Sequence, residues 1–177
     1  MTEIRVIMFC AETGASWDAA LTPACPEADH DHRRYQVHLH RDPVRLPDGT
    51  AVTAVSFDPS DPYSRDHQPD FGLYLDDRWQ PPWPHDHLTW PDFGVPDNAA
   101  RVLAALRALA QRARRGEQVE IGCLGGHGRT GTALAILAVL AGHPADEAVA
   151  WVRDRYCPMA VETGEQEAYV ESLGVDG

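Results

Sequence analysis

Residues Val119 to Gly131, V-E-I-G-C-L-G-G-H-G-R-T-G, set a cysteine and an arginine at the two ends of a glycine-rich loop. Five residues separate Cys123 from Arg129, and three of them, Gly125, Gly126 and Gly128, are glycine. The backbone N–H groups of Leu124, Gly125, Gly126, His127 and Gly128 can therefore curl around a tetrahedral anion without Cβ clashes. Upstream, Val119, Ile121 and Cys123 alternate with polar or small residues, as in a short strand. Downstream, Thr130 to Ala141 is apolar and rich in helix formers, and Gly142 stops it. A loop between a strand end and a helix start has the positive end of the helix against its contents, which favours a bound phosphate and an ionised Cys123. The thiolate is a nucleophile. Arg129 offers a planar fork for two phosphoryl oxygens, and the Thr130 hydroxyl can donate to the sulfur as it leaves. A nucleotide P-loop fails on residues, because G-x-x-x-x-G-K-S/T needs a lysine and this chain has none. A structural strand-end cysteine explains neither the glycines nor the pairing with Arg129 and Thr130.

The run C-L-G-G-H-G-R-T-G-T resembles the signature loop of the protein-tyrosine phosphatase superfamily, H-C-x-x-G-x-x-R-S/T. It departs at Gly122, where the family usually carries a histidine that helps set the thiolate. His127, inside the loop, either supplies positive charge instead or is an exposed loop histidine. Trp90 to Pro96, W-P-D-F-G-V-P, is similar to the acid loop of tyrosine-specific members and precedes the signature as it does there. The resemblance makes Asp92 the general acid. Chemistry asks for one, since an oxygen leaving phosphorus departs faster when protonated and a thiolate has no proton to give. A partial copy at Pro69 to Gly72, P-D-F-G, lacks the tryptophan.

After the signature, Ala160 to Val170, A-V-E-T-G-E-Q-E-A-Y-V, resembles the family's V-Q-T-x-x-Q loop, whose glutamines position the hydrolytic water. Glu162 stands in the first glutamine's place and Gln166 in the second's. A carboxylate near phosphate repels it, so Glu162 points away, acts through Thr163 and backbone contacts, or leaves the water to Gln166. In a plainer reading, Glu162 and Thr163 simply open a last helix running to about Leu173.

The chain has 177 residues, 44% of them hydrophobic, enough to form the core of one domain. We expect a single domain over 1–177 with a motif-bearing core at 90–170. Helices are expected from Asp97 to Arg115, with Gly116 as the stop, and from Pro144 to Tyr156. Ile4 to Phe9, Val37 to Leu39, Ala51 to Phe57 and Leu73 to Leu75 read as strands, and Asp58 to Asp70 and Gln80 to His87 as loops shaping the pocket rim. Trp79, Trp83 and Trp90 either wall an aromatic phosphoryl group or act as packing anchors. The resemblance implies an α/β fold whose central, mostly parallel sheet is flanked by helices, with the signature loop at a strand's C-terminal end.

A net charge of −12 and no basic stripe disfavour nucleic acid and anionic membrane surfaces. The cluster Arg112, Arg114 and Arg115 most simply complements a helix dipole. No apolar run reaches a membrane span, and Met1 to Cys10 is unlike a signal peptide, so the expectation is a cytoplasmic protein. Cysteines 10, 25, 123 and 157 show neither disulfide-framework nor zinc spacing. His30, His32, His38 and His40 likewise lack a diagnostic metal spacing, and Arg33 to Tyr35 only faintly echoes a phosphotyrosine-recognition loop.

The resemblance therefore implies a phosphomonoester hydrolase working through a phosphocysteine, with no cofactor and no metal in the reaction. The expected partner is a phosphotyrosine protein or a small phosphorylated molecule. Two other readings stay open: a phosphatase of inositol phosphates or nucleotides, and a phosphate-binding module without turnover. Oligomeric state is not legible.

Overall fold

The computed structural model describes residues 4–58, 61–88 and 90–174. The first three strands, β1 (Ile4–Cys10), β2 (Ser16–Asp18) and β3 (His32–His38), form an antiparallel sheet ordered β2-β1-β3. The main sheet is built from β4 (Arg41–Arg45), β5 (Ala51–Ser56), β6 (Phe71–Tyr74), β7 (His85–His87) and β8 (Val119–Cys123), ordered β4-β5-β8-β6-β7. Its pairings are parallel except that of β4 with β5. Those two are joined by a tight hairpin in which Leu46 N–H donates to Thr50 O at 2.7 Å and Gly49 takes φ +86°, where glycine pays no Cβ penalty. Pro43 lies in β4, an edge strand, where a missing N–H is tolerated.

Alternation along the strands gives the main sheet two different faces. Val52, Ala54, Leu73, Leu75, Val119, Ile121 and Cys123 join the large core with the helices. The other face is covered by aromatic side chains: Tyr74 stacks on Trp79 with ring centroids 4.5 Å apart, and Val55 packs with them. Of the two readings open for these tryptophans, packing is the one that Trp79 and Trp83 follow. Trp79 and Trp83 are buried anchors, and Trp83 Nε1 donates to the Tyr74 hydroxyl at 2.7 Å. On the same face the buried carboxylate of Glu120 accepts from the Tyr74 hydroxyl and receives a two-pronged contact from Arg65, at 3.0 and 3.1 Å. From residue 61 onward the segment expected as a rim loop thus covers this face; residues 59–60 of it lie outside the described part.

Four helices follow the sequence closely: α1 (Ala99–Arg114), α2 (Gly128–Leu140), α3 (Ala148–Arg155) and α4 (Gly164–Ser172). Asn98, rather than Asp97, caps α1, its side chain accepting from Arg101 N–H at 3.0 Å. Gly116 follows the helix at φ +88°. Arg112 and Arg115 pair with Glu117 and Arg114 with Asp48, so this cluster is consumed in ion pairs beside its dipole contribution. Helix α2 is buried throughout from Gly128 to Ala138 and contacts α1, α3 and α4, which makes it the axis of the helical layer. No helix among the described residues is long and apolar enough to cross a membrane.

Three expectations need correction. Ile4–Phe9 reads correctly as a strand but belongs to the separate antiparallel sheet, pairing residue by residue with β3. The strand expected at Val37 to Leu39 overlaps only the end of β3, which runs from His32 to His38. His85–His87, expected as loop, extends the main sheet at its edge, because backbone pairing with β6 decides a strand this short. The partial motif at Pro69 to Gly72 leads into β6, with the Asp70 carboxylate accepting from Gln118 N–H at 2.7 Å.

Candidate active site

Strand β8 ends at Cys123 and helix α2 begins at Gly128, so the loop between them stands at the C-terminal edge of the central parallel strand. Its carbonyls are tied away from the cysteine. Phe57 N–H donates to the oxygens of Cys123 and Leu124, Gly131 and Val161 N–H to His127 O, and the hydroxyls of Tyr156 and Thr132 to Gly126 O and Gly128 O. With these oxygens engaged outside, the peptide units turn their N–H groups toward the sulfur side. Gly126, at φ +76°, makes this curl possible and donates its N–H to Cys123 Sγ at 3.3 Å. Thr130 donates its hydroxyl to the same sulfur at 3.0 Å.

Gly122 has a physical explanation that the sequence withheld. A Cβ there would lie 2.6 Å from both Val55 Cγ2 and Val55 O, so no histidine fits beside this cysteine. His127 does not compensate as an exposed residue. It is buried, with its Nε2 3.1 Å from Nε2 of His40, itself buried under the loop. His40 Nδ1 lies 3.4 Å from Asp42 Oδ2, and Tyr156 packs on the His40 ring at 4.7 Å. Cys157 joins the two histidines in one buried group, and burial pushes its thiol up.

Arg129 is buried, and one side of its guanidinium is fastened to protein. Nη1 donates to Leu75 O at 2.9 Å and to Trp90 O at 3.4 Å, and Nη2 meets Asp76 Oδ2 at 3.1 Å. Burial opposes ionisation of Asp76, but hydrogen bonds and charge from Arg78, with Arg129 adding, hold its carboxyl below the usual range. Arg129 Nε is buried with no protein partner among the described residues, a donor left for an anion.

The acid loop is closed on this centre. Asp92 Oδ1 lies 3.3 Å from Arg129 Nη2, while its side chain remains 53% exposed. Trp90 is buried and staples the loop, donating Nε1–H to Gly94 O at 2.9 Å. Phe93 sits at φ +59°, an uncommon conformation for a bulky residue, and its ring is exposed. Thr163 Oγ1 donates to Phe93 O at 3.2 Å and Gln166 Nε2 to Gly94 O at 3.2 Å. The third motif therefore latches the second.

Gln166 is fully buried, its amide oxygen accepting from Glu162 N–H at 2.9 Å, and Thr163 caps α4 by accepting from Gln166 N–H. Glu162 does not point away. A Cβ on Gly128 would lie 2.3 Å from Glu162 Oε2, which puts this carboxylate on the signature loop. Burial pushes its carboxyl up, the charge of Asp92 adds to this, and the Gly128 amide and Arg129 act in the opposite sense. The preceding residue, Val161, is β-branched at φ +62°, a rare strain at the same loop. Arg153 holds the turn by donating to Ala160 O and Val161 O at 3.0 and 2.9 Å.

Sequence reasoning missed Asp76, the Leu75 carbonyl, His40, Tyr156 and Arg153. Only Asp76 carried a signal, an acidic residue directly after a buried strand.

Comparison with known proteins gives the same direction. Residues 77–153 match the family described as Protein-tyrosine phosphatase, a span that includes Asp92 and the signature loop and stops before Gln166. Two proteins of Methanocaldococcus jannaschii are similar in sequence: MJECL20, 36% identical over 55% of this chain and 71% of that protein, and MJ0215, 35% identical over 55% and 66%. Among solved structures, Tk-PTP in its active form is 27% identical with a TM-score of 0.58, covering 75% of this chain and 96% of that one. The kinase associated phosphatase KAP, with its catalytic-site cysteine replaced by serine, is 15% identical with a TM-score of 0.62 over 79% of this chain and 95% of that one. At that identity the likeness speaks for the fold.

Proposed function

This chain belongs to the protein-tyrosine phosphatase superfamily, whose fold supports cysteine-dependent phosphatase activity, and on that premise we propose that it hydrolyses phosphotyrosine through a phosphocysteine. The observation that carries the reading is the convergence of three groups: Cys123 Sγ with its two donors, the unpartnered Nε of buried Arg129, and Asp92 held 3.3 Å from that guanidinium. In the first step the thiolate forms the S–P bond as the P–O bond to the leaving group breaks. Arg129 and the amides of residues 124–128 hold the phosphoryl oxygens, and Asp92 gives its proton to the departing oxygen. In the second step water, deprotonated by Asp92, attacks phosphorus, and the sulfur leaves with the Thr130 hydroxyl donating to it. Gln166 supports this step by holding Gly94 and Glu162 in place.

A binding module without turnover needs no acid, so the presence of Asp92 at Arg129 favours an enzyme. The exposed Phe93 ring beside Asp92 is suited to an aryl group and supports tyrosine over aliphatic phosphates. Cytoplasmic location and action on a protein or small phosphorylated substrate, rather than nucleic acid or membrane, belong to the same proposal. The test is a turnover panel of phosphotyrosine peptides, phosphoserine peptides, inositol phosphates and nucleotides, run with the Cys123→Ser chain. Phosphotyrosine peptides are expected to lead the panel, and Cys123→Ser to abolish turnover while still binding inorganic phosphate. Faster turnover of inositol phosphates or nucleotides would replace the substrate assignment, and appreciable hydrolysis by Cys123→Ser would remove the covalent mechanism.

A further inference from the structure

The antiparallel sheet at the start of the chain contains a group of side chains that the phosphatase reading does not use. Cys10 ends β1, Cys25 lies in the loop between β2 and β3, and His30 stands just before β3. Both thiols are buried, and one atom from each of the three residues lies within 4.8 Å of the other two. His30 Nδ1 is 3.3 Å from Cys25 Sγ and 3.5 Å from Cys10 Sγ. Zinc–sulfur and zinc–nitrogen bonds of about 2.3 and 2.0 Å at tetrahedral angles separate the two ligand atoms by about 3.5 Å. The three side chains are therefore spaced as ligands of one ion.

A second observation points the same way. His32 Nε2 is buried with no hydrogen-bond partner among the described residues, and the His32 ring lies 6.5 Å from that of His30. An unmet imidazole nitrogen on the residue opposite Cys10 across the strands is a donor lacking its acceptor, or a ligand lacking its ion. Glu12 is less suited to this role, because both of its carboxylate oxygens already accept from Asp31 N–H.

The local energetics also call for a staple. Among the described side chains of this sheet, Cys10, Trp17 and Cys25 pack together with Met8 against them, in a cluster separate from the two of the main sheet. The thirteen residues from Ala19 to Asp31 contain no helix or strand and leave Leu21 exposed. So long a connection without regular structure is the setting in which small folds recruit a metal.

We propose that Cys10, Cys25 and His30 bind one structural zinc ion, with the orphaned imidazole of His32 completing the set. Two thiolates with imidazole nitrogens select zinc over harder cations. Coordination releases the thiol protons and involves no change of oxidation state, so nothing else is consumed. The ion would pin the connection between β2 and β3 to the end of β1 and is independent of the phosphatase reading.

The test uses the full chain carrying Cys123→Ser, so that the signature thiol cannot contribute. It is stripped with chelator and titrated with Co²⁺, followed by Zn²⁺. One ion per chain is expected, with a near-ultraviolet thiolate-to-cobalt charge-transfer band, intense visible bands of a tetrahedral site, and loss of both when an equivalent of Zn²⁺ is added. Cys10→Ser with Cys25→Ser should lose the charge-transfer band, His30→Ala should weaken Co²⁺ binding at least tenfold, and Cys157→Ser should keep the band. The titration of the unsubstituted site stands even where these variants fold poorly. A folded chain that takes up no stoichiometric metal overturns the proposal. So does a band that survives loss of both cysteines, or one that vanishes with Cys157→Ser and so belongs to the group of His40, His127 and Cys157.

Discussion

Replacing Glu162 by glutamine, the residue its loop resembles, removes a negative charge from the anion site and leaves the side-chain shape almost intact. The carboxylate rests on Gly128, whose amide belongs to the proposed phosphate cradle. At roughly 5 Å from a bound phosphorus, one unit of charge repels another by about 3 kcal/mol at an effective dielectric constant near 20, and by about 1 kcal/mol in water. Glu162 is exposed and therefore near the watery limit, so Glu162→Gln should tighten binding of inorganic phosphate by about 5-fold. Isothermal titration at pH 7 with the Cys123→Ser chain, with and without Glu162→Gln, measures this directly. Stability should move in a pH-dependent way. The folded carboxyl is raised mainly by burial and by Asp92, so the folded protein favours the protonated form. That favour is complete below the ordinary carboxylate range and is lost as pH rises through the raised value. Glu162→Gln should therefore raise Tm at pH 7, with the gain vanishing toward pH 4. Unchanged or weaker phosphate binding would refute the electrostatic reasoning. A collapse of kcat in the single variant Glu162→Gln would show that the carboxyl takes part in proton transfer.

Three further outcomes follow from the geometry. Asp92→Asn should slow phosphotyrosine hydrolysis by about 10²- to 10⁴-fold while slowing an activated aryl phosphate much less; equal slowing of both would move the acid elsewhere. Gly122→Ala sets a methyl group 2.6 Å from Val55 Cγ2 and Val55 O, which should cost about 1–3 kcal/mol in urea denaturation. An alanine variant as stable as the parent would contradict the strand spacing there. Glu120→Ala strands buried Arg65 and the Tyr74 hydroxyl, with an expected loss of about 3–5 kcal/mol; a loss under about 1 kcal/mol would mean that solvent reaches this ion pair.

What the sequence disclosed was whatever is encoded by neighbours along the chain. Helices α1, α2, α3 and α4 carry their own periodicity, caps and glycine stops, and each lies within a few residues of its expected place. The signature loop announces itself because five residues must hold both a cysteine and an arginine against one anion. Strands β2, β4 and β7, of three to five residues, were not legible, since partner strands rather than their own side chains define them. Nor were the supports of the site: His40 reaches His127 across 87 positions, and Leu75 O reaches Arg129 across 54. The absence of a histidine at 122 read as a weakness in the motif until Val55 explained it.

The two hydrogen bonds from Thr163 and Gln166 to the backbone of Phe93 and Gly94 also set a tempo. Two such bonds are worth about 2 kcal/mol net, so a loop held by them alone stands open in about one molecule in thirty. That is closed enough to keep Asp92 beside a phosphocysteine while its water is deprotonated, and open often enough for product to leave between cycles. The residues that resemble the family's water-positioning motif thus act as the latch of the door, which in the proposed mechanism ties substrate admission to the step that releases phosphate.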